Sequence, residues 1–259
     1  PILPATMSPA ARERPTHVAL AVVFQVRAGV LETLLWERAK EPFLGAWSLP
    51  GGYLEPGETL EQSIRRHLAT KVDVREVAHL EQLETLSDPH RHPSEWQVAT
   101  AYLGLVPTNL DPELPGDTAW HPVSNLPTLA FDHQEVALAG RERLRAKLSY
   151  TNIGFALAPP EFTISELRDL YAAALGHDVS ATNLQRVLLR RGVIEATGER
   201  RNPGRGGGRP AAVFSFRAPR LEVTDEFAVL RPPRTDPAGV CPNNRLSGQS
   251  PFGDSPSAV

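Results

Sequence analysis

Residues 51–74, GGYLEPGETLEQSIRRHLATKVDV, constrain the fold more than any other stretch of the chain. Two glycines and then Pro56-Gly57 interrupt any regular element, so the segment opens as a loop. A helix is expected to start near Glu58 and run to about Lys71. Leu60, Ile64 and Leu68 recur at four-residue steps and share one face of it. On the same helix His67, Thr70 and Lys71 are three and four residues apart and share another face. A helix with one apolar stripe has to lay that stripe on something, and the neighbouring segments supply a sheet.

Residues 17–25, HVALAVVFQ, are β-branched and apolar, and VLETLLWER at 30–38 follows a Gly-containing turn, so a hairpin is expected. EPFLGAWSLPGG is a Pro/Gly-punctuated loop with a short strand near Trp47 to Leu49. VREVAHLEQLETL and EWQVATAYLGLVP give two further strands, with DPHRHPSE as the loop between them. DTAWHPVSNLPTL gives a short strand and a turn, and FDHQEVALAGRERLRAKLSY has helical periodicity. Sheet and helix thus alternate, the pattern of a sheet layered with helices.

The next stretch follows a different plan. LAPPEF at 157–162 reads as a linker, and Thr163 with Glu166 fits a helix-starting capping box. Leu167, Leu170, Tyr171 and Leu175 mark one helical face, which Gly176 ends. SATN at 180–183 starts a second helix that ends at RRG, 190–192. VIEATGE and AAVFSF then read as short strands around RRNPGRGGGRP. Helix, turn, helix, strand, basic loop, strand is the order of a winged helix-turn-helix. The expected α+β architecture has domains at 15–156 and 157–220, a flexible start over 1–14 and a Pro/Gly/Ser-rich flexible tail over 221–259.

Charge separates these parts. Asn183 to Arg220 holds nine arginines against Glu195 and Glu199, a surplus of seven, so the remainder carries −10 of a total of −3. An acidic body with a compact basic end points to a polyanionic partner. On the second helix, Leu184, Val187 and Leu188 form the apolar stripe, and Thr182, Asn183, Arg186 and Arg190 lie opposite. Those residue types suit base edges and phosphates in a major groove. The loop adds Arg200, Arg201, Arg205 and Arg209, and Gly206 to Gly208 allow close backbone approach to a duplex. A solvated helix with a basic loop, or a module for RNA or another protein, is the competing reading.

Composition removes other classes. No apolar run approaches the ~18 residues of a membrane span, and no basic-then-apolar secretion signal is expected at the start. The single cysteine, Cys241, cannot form an intramolecular disulfide or a cysteine-based metal site. A cytoplasmic protein is expected.

The opening stretch resembles the Nudix box, G-x5-E-x7-R-E-U-x-E-E-x-G-U, where U is a bulky aliphatic. Gly52, Glu58, Arg66, Leu68 and Val74 match, and the LPGG lead-in adds to the likeness. His67, Thr70 and Lys71 stand where the family has carboxylates, and Asp73 stands for the family's glycine. The family's hydrolysis uses divalent ions held by such carboxylates. With Glu55 and Glu58 as the remaining carboxylates, no catalytic residue, metal site or required cofactor is expected. Binding without cleavage is expected instead, with Gly51, Gly52, Glu55, Glu58, Arg65, Arg66 and Lys71 near a diphosphate and Arg38 beside them. Phe43 and Trp47 fit either a wall for a base or sugar or the core, and Arg65 and Arg66 fit either a ligand or solvent.

The two parts together resemble the Nudix-related transcriptional regulators of NAD metabolism, over about residues 15–218. LAFDH at 129–133, FTISELRDLYAAALG and the GRP at 208–210 carry the likeness. The resemblance implies a Nudix-like α/β/α sandwich that senses ADP-ribose or a related nucleotide, and a winged helix-turn-helix that binds palindromic operators as a homodimer. It implies relief of repression of NAD synthesis or salvage genes by the nucleotide. The alternative is an ADP-ribose pyrophosphatase with residual metal-dependent activity.

Overall fold

The computed structural model describes residues 14–202 and 210–225. Residues 1–13 of the flexible start expected over 1–14, the tail from 226 with Cys241, and the wing residues Gly206 to Gly208, Arg205 and Arg209 lie outside the described residues.

A seven-stranded mixed sheet forms the first layer. Its strands are β1 (Thr16–Arg27), β2 (Val30–Glu37), β3 (Trp47–Ser48), β4 (Gly51–Tyr53), β5 (His79–Leu86), β6 (Gln97–Leu105) and β7 (Thr118–Pro122). The main path runs β3-β2-β1-β6-β5, with β4 on β1 and β7 on β2. β1 pairs in parallel with β6, from Thr16 opposite Gln97 to Phe24 opposite Leu105, and antiparallel with β2 and β4. The expected 17–25/30–38 hairpin forms with Ala28-Gly29 as its turn, both in the left-handed region.

β1 reads as a continuous apolar run because both of its faces are buried. Ala19, Ala21 and Val23 face one core with Ile64 and Leu68 of helix α1 (Leu60–Lys71). Val18, Leu20, Val22 and Phe24 face the other with Val136, Ala137, Leu144 and Leu148 of helix α2 (His133–Tyr150). A strand period of two sends alternate residues to opposite helices, which makes an α/β/α sandwich. Gly140 lets α2 lie close on β1, since a Cβ there would meet Val22 Cγ1 at 2.9 Å.

Helix α1 starts at Leu60, the first residue of its apolar stripe and two residues after the expected start near Glu58. Thr59 caps it, and Gln62 returns a hydrogen bond to the Thr59 N–H, completing a capping box. Asp73, at the family's glycine position, takes φ +50°, a conformation that glycine adopts without strain and aspartate tolerates. The strand expected from 74 begins only at His79, because Val74 is buried and its N–H closes the end of α1 on Leu68 O.

The second part holds β8 (Phe162–Thr163), α3 (Ile164–Leu175), α4 (Ala181–Arg190), β9 (Ile194–Arg201) and β10 (Ala211–Phe216), with strand order β8-β10-β9. The Thr163–Glu166 capping box is present, and Gly176 caps α3 in the left-handed conformation at φ +76°.

Two expectations are corrected here. LAPPEF is no exposed linker. A short 3-10 turn, Ile153–Ala156, precedes it, and Leu157, Ala158 and Phe162 are buried in the same core as β1, α2, α3 and α4. Its prolines read as a linker, but its apolar residues fill the seam between the two parts. The tail expected from 221 does not begin there. Asn152 donates to Glu222 O, Thr224 and Asp225 N–H groups reach Tyr150 O, and Arg191 pairs with Asp225 at 2.5 Å. Backbone hydrogen bonds with no apolar periodicity hold this stretch, so a hydrophobic pattern could not reveal it.

Candidate functional site

The glycine-rich loop lies against β1 and α1. A Cβ on Gly51 would fall 2.3 Å from Ala19 O, and one on Gly52 would fall 2.5 Å from the His67 ring. Only glycines permit this approach. Beside them a cavity of about 510 Å³ opens. Of the residues expected to meet a ligand, Arg38, Gly51, Gly52, Glu55 and Lys71 line it.

The others do not line it. Glu58 accepts from Arg66 at 2.5 and 2.8 Å, and Arg66 also reaches Glu55 at 3.3 Å and donates to Tyr53 O. Arg66 beside Glu58 holds its carboxyl well below the usual range, at about 2. Arg65 pairs with Glu61 one helical turn away. Trp47 packs on the core and meets the His121 ring edge-on at 4.4 Å. Phe43 is 45% exposed and meets the ring of Phe131 on the cavity wall, at 4.9 Å between ring centres. A paired arginine and an unpaired one look the same in a sequence, as do a core tryptophan and a pocket tryptophan.

His67 is buried, and its Nε2 lies 3.1 Å from Tyr53 O, which accepts from the ring N–H. Burial pushes its pKa down. Lys71 donates to Gly51 O at 2.5 Å and sits 4.6 Å from the centre of the Trp36 ring. The Thr70 hydroxyl is turned back onto Arg66 O.

Residues not anticipated from the sequence also line it, among them Lys40, Glu41, Tyr53, His92, Phe131 and His133. Arg38 stacks over Phe131 at 4.7 Å, and the His92 ring lies parallel to Phe131 at 5.2 Å. Phe131 has φ +55°. The positions beside it explain how that is held. Asp132 takes a bidentate pair from Arg91, at 2.7 and 3.0 Å, and Arg91 also donates to Gln97. His133 Nδ1 accepts from Leu49 N–H at 3.1 Å and lies 2.9 Å from Ser48 Oγ. LAFDH thus joins the DPHRHPSE loop to the cavity, and only the motif's likeness to a family could have marked it in the sequence.

Burial drives the His133 pKa down to about 3. Because the folded value lies below the unfolded one of about 6.5, the unfolded chain binds more protons between them. Stability is therefore full above that unfolded value and falls as pH drops toward 3. Urea unfolding at pH 7 and pH 5 is expected to show the loss, and His133→Gln, which still accepts from Leu49, is expected to reduce it. An unchanged difference would remove His133 as the cause.

On α4, Ser180 caps the helix by accepting from Asn183 N–H. Leu184 and Leu188 are buried, Val187 is partly so, and Thr182, Asn183, Arg186 and Arg190 are all exposed. The expected polar face is therefore present on a surface helix. Arg186 donates to Asn183 Oδ1 at 2.7 Å. β9 is exposed along nearly its whole length, including Arg200. Arg201 differs, because its guanidinium binds Glu166 at 2.6 and 2.7 Å and so fastens the wing to the start of α3. Arg191, Arg217 and Arg220 likewise meet Asp225, Glu195 and Glu222. Among the described residues Arg186, Arg190 and Arg200 make no carboxylate pair.

The chain matches the model of the NUDIX domain over residues 15–139 and that of the NrtR DNA-binding winged helix domain over residues 154–216. It is 30% identical over 201 residues to the ADPR responsive transcriptional repressor NtrR of Acinetobacter baylyi, covering 75% of this chain and 79% of that protein. It resembles the crystal structure of Shewanella oneidensis NrtR with a TM-score of 0.68 and 32% identity, over 78% of this chain and 94% of that one. It resembles Shewanella oneidensis NrtR complexed with a 27mer DNA with a TM-score of 0.66 and 31% identity, over 78% and 93%.

Proposed function

The chain belongs to the NrtR family of Nudix-related regulators, and we propose that it represses transcription of NAD synthesis or salvage genes by binding palindromic operator DNA as a homodimer. ADP-ribose, or a closely related NAD-derived nucleotide, releases it. The observation that carries this reading is one core that ties a cation-lined cavity to a helix with an exposed Thr182, Asn183, Arg186 and Arg190 face. Arg205 and Arg209 remain expected duplex contacts, as does Arg200, which is exposed on β9. Arg201 serves the fold through Glu166 instead. Among the described residues no helix is long and apolar enough to cross a membrane; a cytoplasmic site of action fits DNA as the target.

The residues at the box do not fit magnesium. Glu55 and Glu58 are engaged by Arg66, the His67 ring bonds Tyr53 O, and Lys71 places an ammonium on Gly51 O. Magnesium takes hard oxygen ligands. We therefore read the domain as a sensor that needs no cofactor, rather than as a pyrophosphatase.

For release, the nucleotide has to favour the arrangement that does not bind DNA. Helix α2 supports such coupling. It begins at His133 on the cavity wall, and the Ser149 carbonyl near its far end accepts from Arg191, the residue that ends α4. Over its 18 residues it spans about 27 Å.

The test is fluorescence anisotropy with a palindromic duplex from the promoter of a neighbouring or NAD-related gene. Tight, salt-dependent binding that ADP-ribose reverses is expected. Equal affinity for random duplexes would remove the repressor reading. AMP release from ADP-ribose with magnesium, lost in Glu58→Gln, would restore the hydrolase.

A further inference from the structure

Lys71 is a half-buried cation in cationic company. Its ammonium gives one N–H to Gly51 O and rests on the Trp36 ring, which Trp36 Nε1 fixes by donating to Leu49 O. Burial pushes its pKa down, and the like charges of Arg38, Arg66 and Lys40 push it the same way. The carboxylates nearest in sequence give no relief, since Arg66 holds both Glu55 and Glu58. A desolvated ammonium among like charges is costly unless an anion joins it. Arg38 and Lys40 line the same cavity, so three cations meet in one space, against Glu41 and the Arg66-paired Glu55. Gly51 and Gly52 let the loop lie tight against Ala19 and the His67 ring, and the Gly51 carbonyl accepts from Lys71.

We propose that the Lys71 ammonium takes the place of a divalent cation, so that this pocket holds the diphosphate of a nucleotide without metal. The proposal rests on reading the cavity as a nucleotide pocket. An ammonium keeps two N–H donors after bonding Gly51 and gives phosphate oxygens charge-assisted hydrogen bonds. Unlike a metal, it polarises no water toward attack, so the ligand stays intact. One substitution thus favours retention over turnover.

The test is isothermal titration of the full chain with ADP-ribose, in EDTA and in magnesium, with inorganic pyrophosphate as a second probe. The wild-type protein is expected to bind ADP-ribose equally in both buffers. Lys71→Met is expected to weaken it by about 10- to 100-fold, the range for a hydrogen bond to a charged group. Lys71→Glu is expected to bind in magnesium better than in EDTA. A circular-dichroism melt of each variant separates lost binding from lost folding, and the wild-type comparison of the two buffers needs no variant. If ADP-ribose binds only with magnesium, or if folded Lys71→Met binds as well as wild type, the proposal fails and the sensor reading stands. If ADP-ribose does not bind but pyrophosphate does, dependent on Lys71, the anion site stands and the effector is wrong. If neither probe binds, both are overturned.

Discussion

Replacing Arg186 and Arg190 together with alanine is expected to lower operator affinity by about 100-fold, at roughly 1–3 kcal/mol for each arginine that meets a base edge or phosphate. Both side chains are exposed on α4, and the buried residues of that helix, Leu184 and Leu188, are untouched by the change. Folding should therefore survive, and a melt should show it. The salt dependence of binding is expected to flatten by about one to two units of slope, since each lost phosphate contact removes ~0.9. Arg201→Ala provides the contrast. Its guanidinium is held by Glu166, so it is expected to loosen the wing and leave the salt slope nearly unchanged. An unaltered operator affinity in the double variant would move the reading face elsewhere on the domain.

Asp132→Ala is expected to cost about 3–5 kcal/mol in urea unfolding, the range for breaking a buried pair by removing one partner. The asymmetry of the pair makes the prediction sharper. The Arg91 side chain is 3% exposed and that of Asp132 is 20% exposed. Removing the aspartate strands a guanidinium away from water, whereas Arg91→Met leaves a carboxylate that still reaches solvent. Arg91→Met is thus expected to cost less, and the double change less than Asp132→Ala alone. If Arg91→Met proved the more damaging single change, the burial argument would be wrong. ADP-ribose binding should weaken in Asp132→Ala even under stabilising conditions, because Asp132 stands between Phe131 and His133 on the cavity wall.

Local patterns carried much of this. The α1 stripe, the β1–β2 hairpin, the Thr163 capping box, the Gly176 stop and the buried and exposed faces of α4 all depend on neighbours within a few residues. That His67, Thr70 and Lys71 stand where the Nudix box has carboxylates was legible only through the likeness to that family, while helix geometry fixes that the three share a face. Partners distant in sequence were not legible. The surplus of seven arginine charges looked free because the window from Asn183 to Arg220 left out Glu166, Glu222 and Asp225. Arg65 and Arg66 looked alike, yet one pairs along its own helix and the other gathers two loop carboxylates.

The sequence by itself determined the order of elements, the α+β class, the residues that stand in the Nudix-like box and the polar face of α4. Each follows from periodicity or from residue chemistry at fixed local spacing. Only the tertiary structure decided that LAPPEF fills the seam between the two parts, that 221–225 returns to the end of α2, and that Phe131, His92 and His133 wall the cavity. It also decided that Lys71 stands among cations rather than beside a carboxylate. These outcomes depend on which residues from remote segments are packed together. A side chain's charge is written in the sequence, but its solvation and its partners are set by the fold.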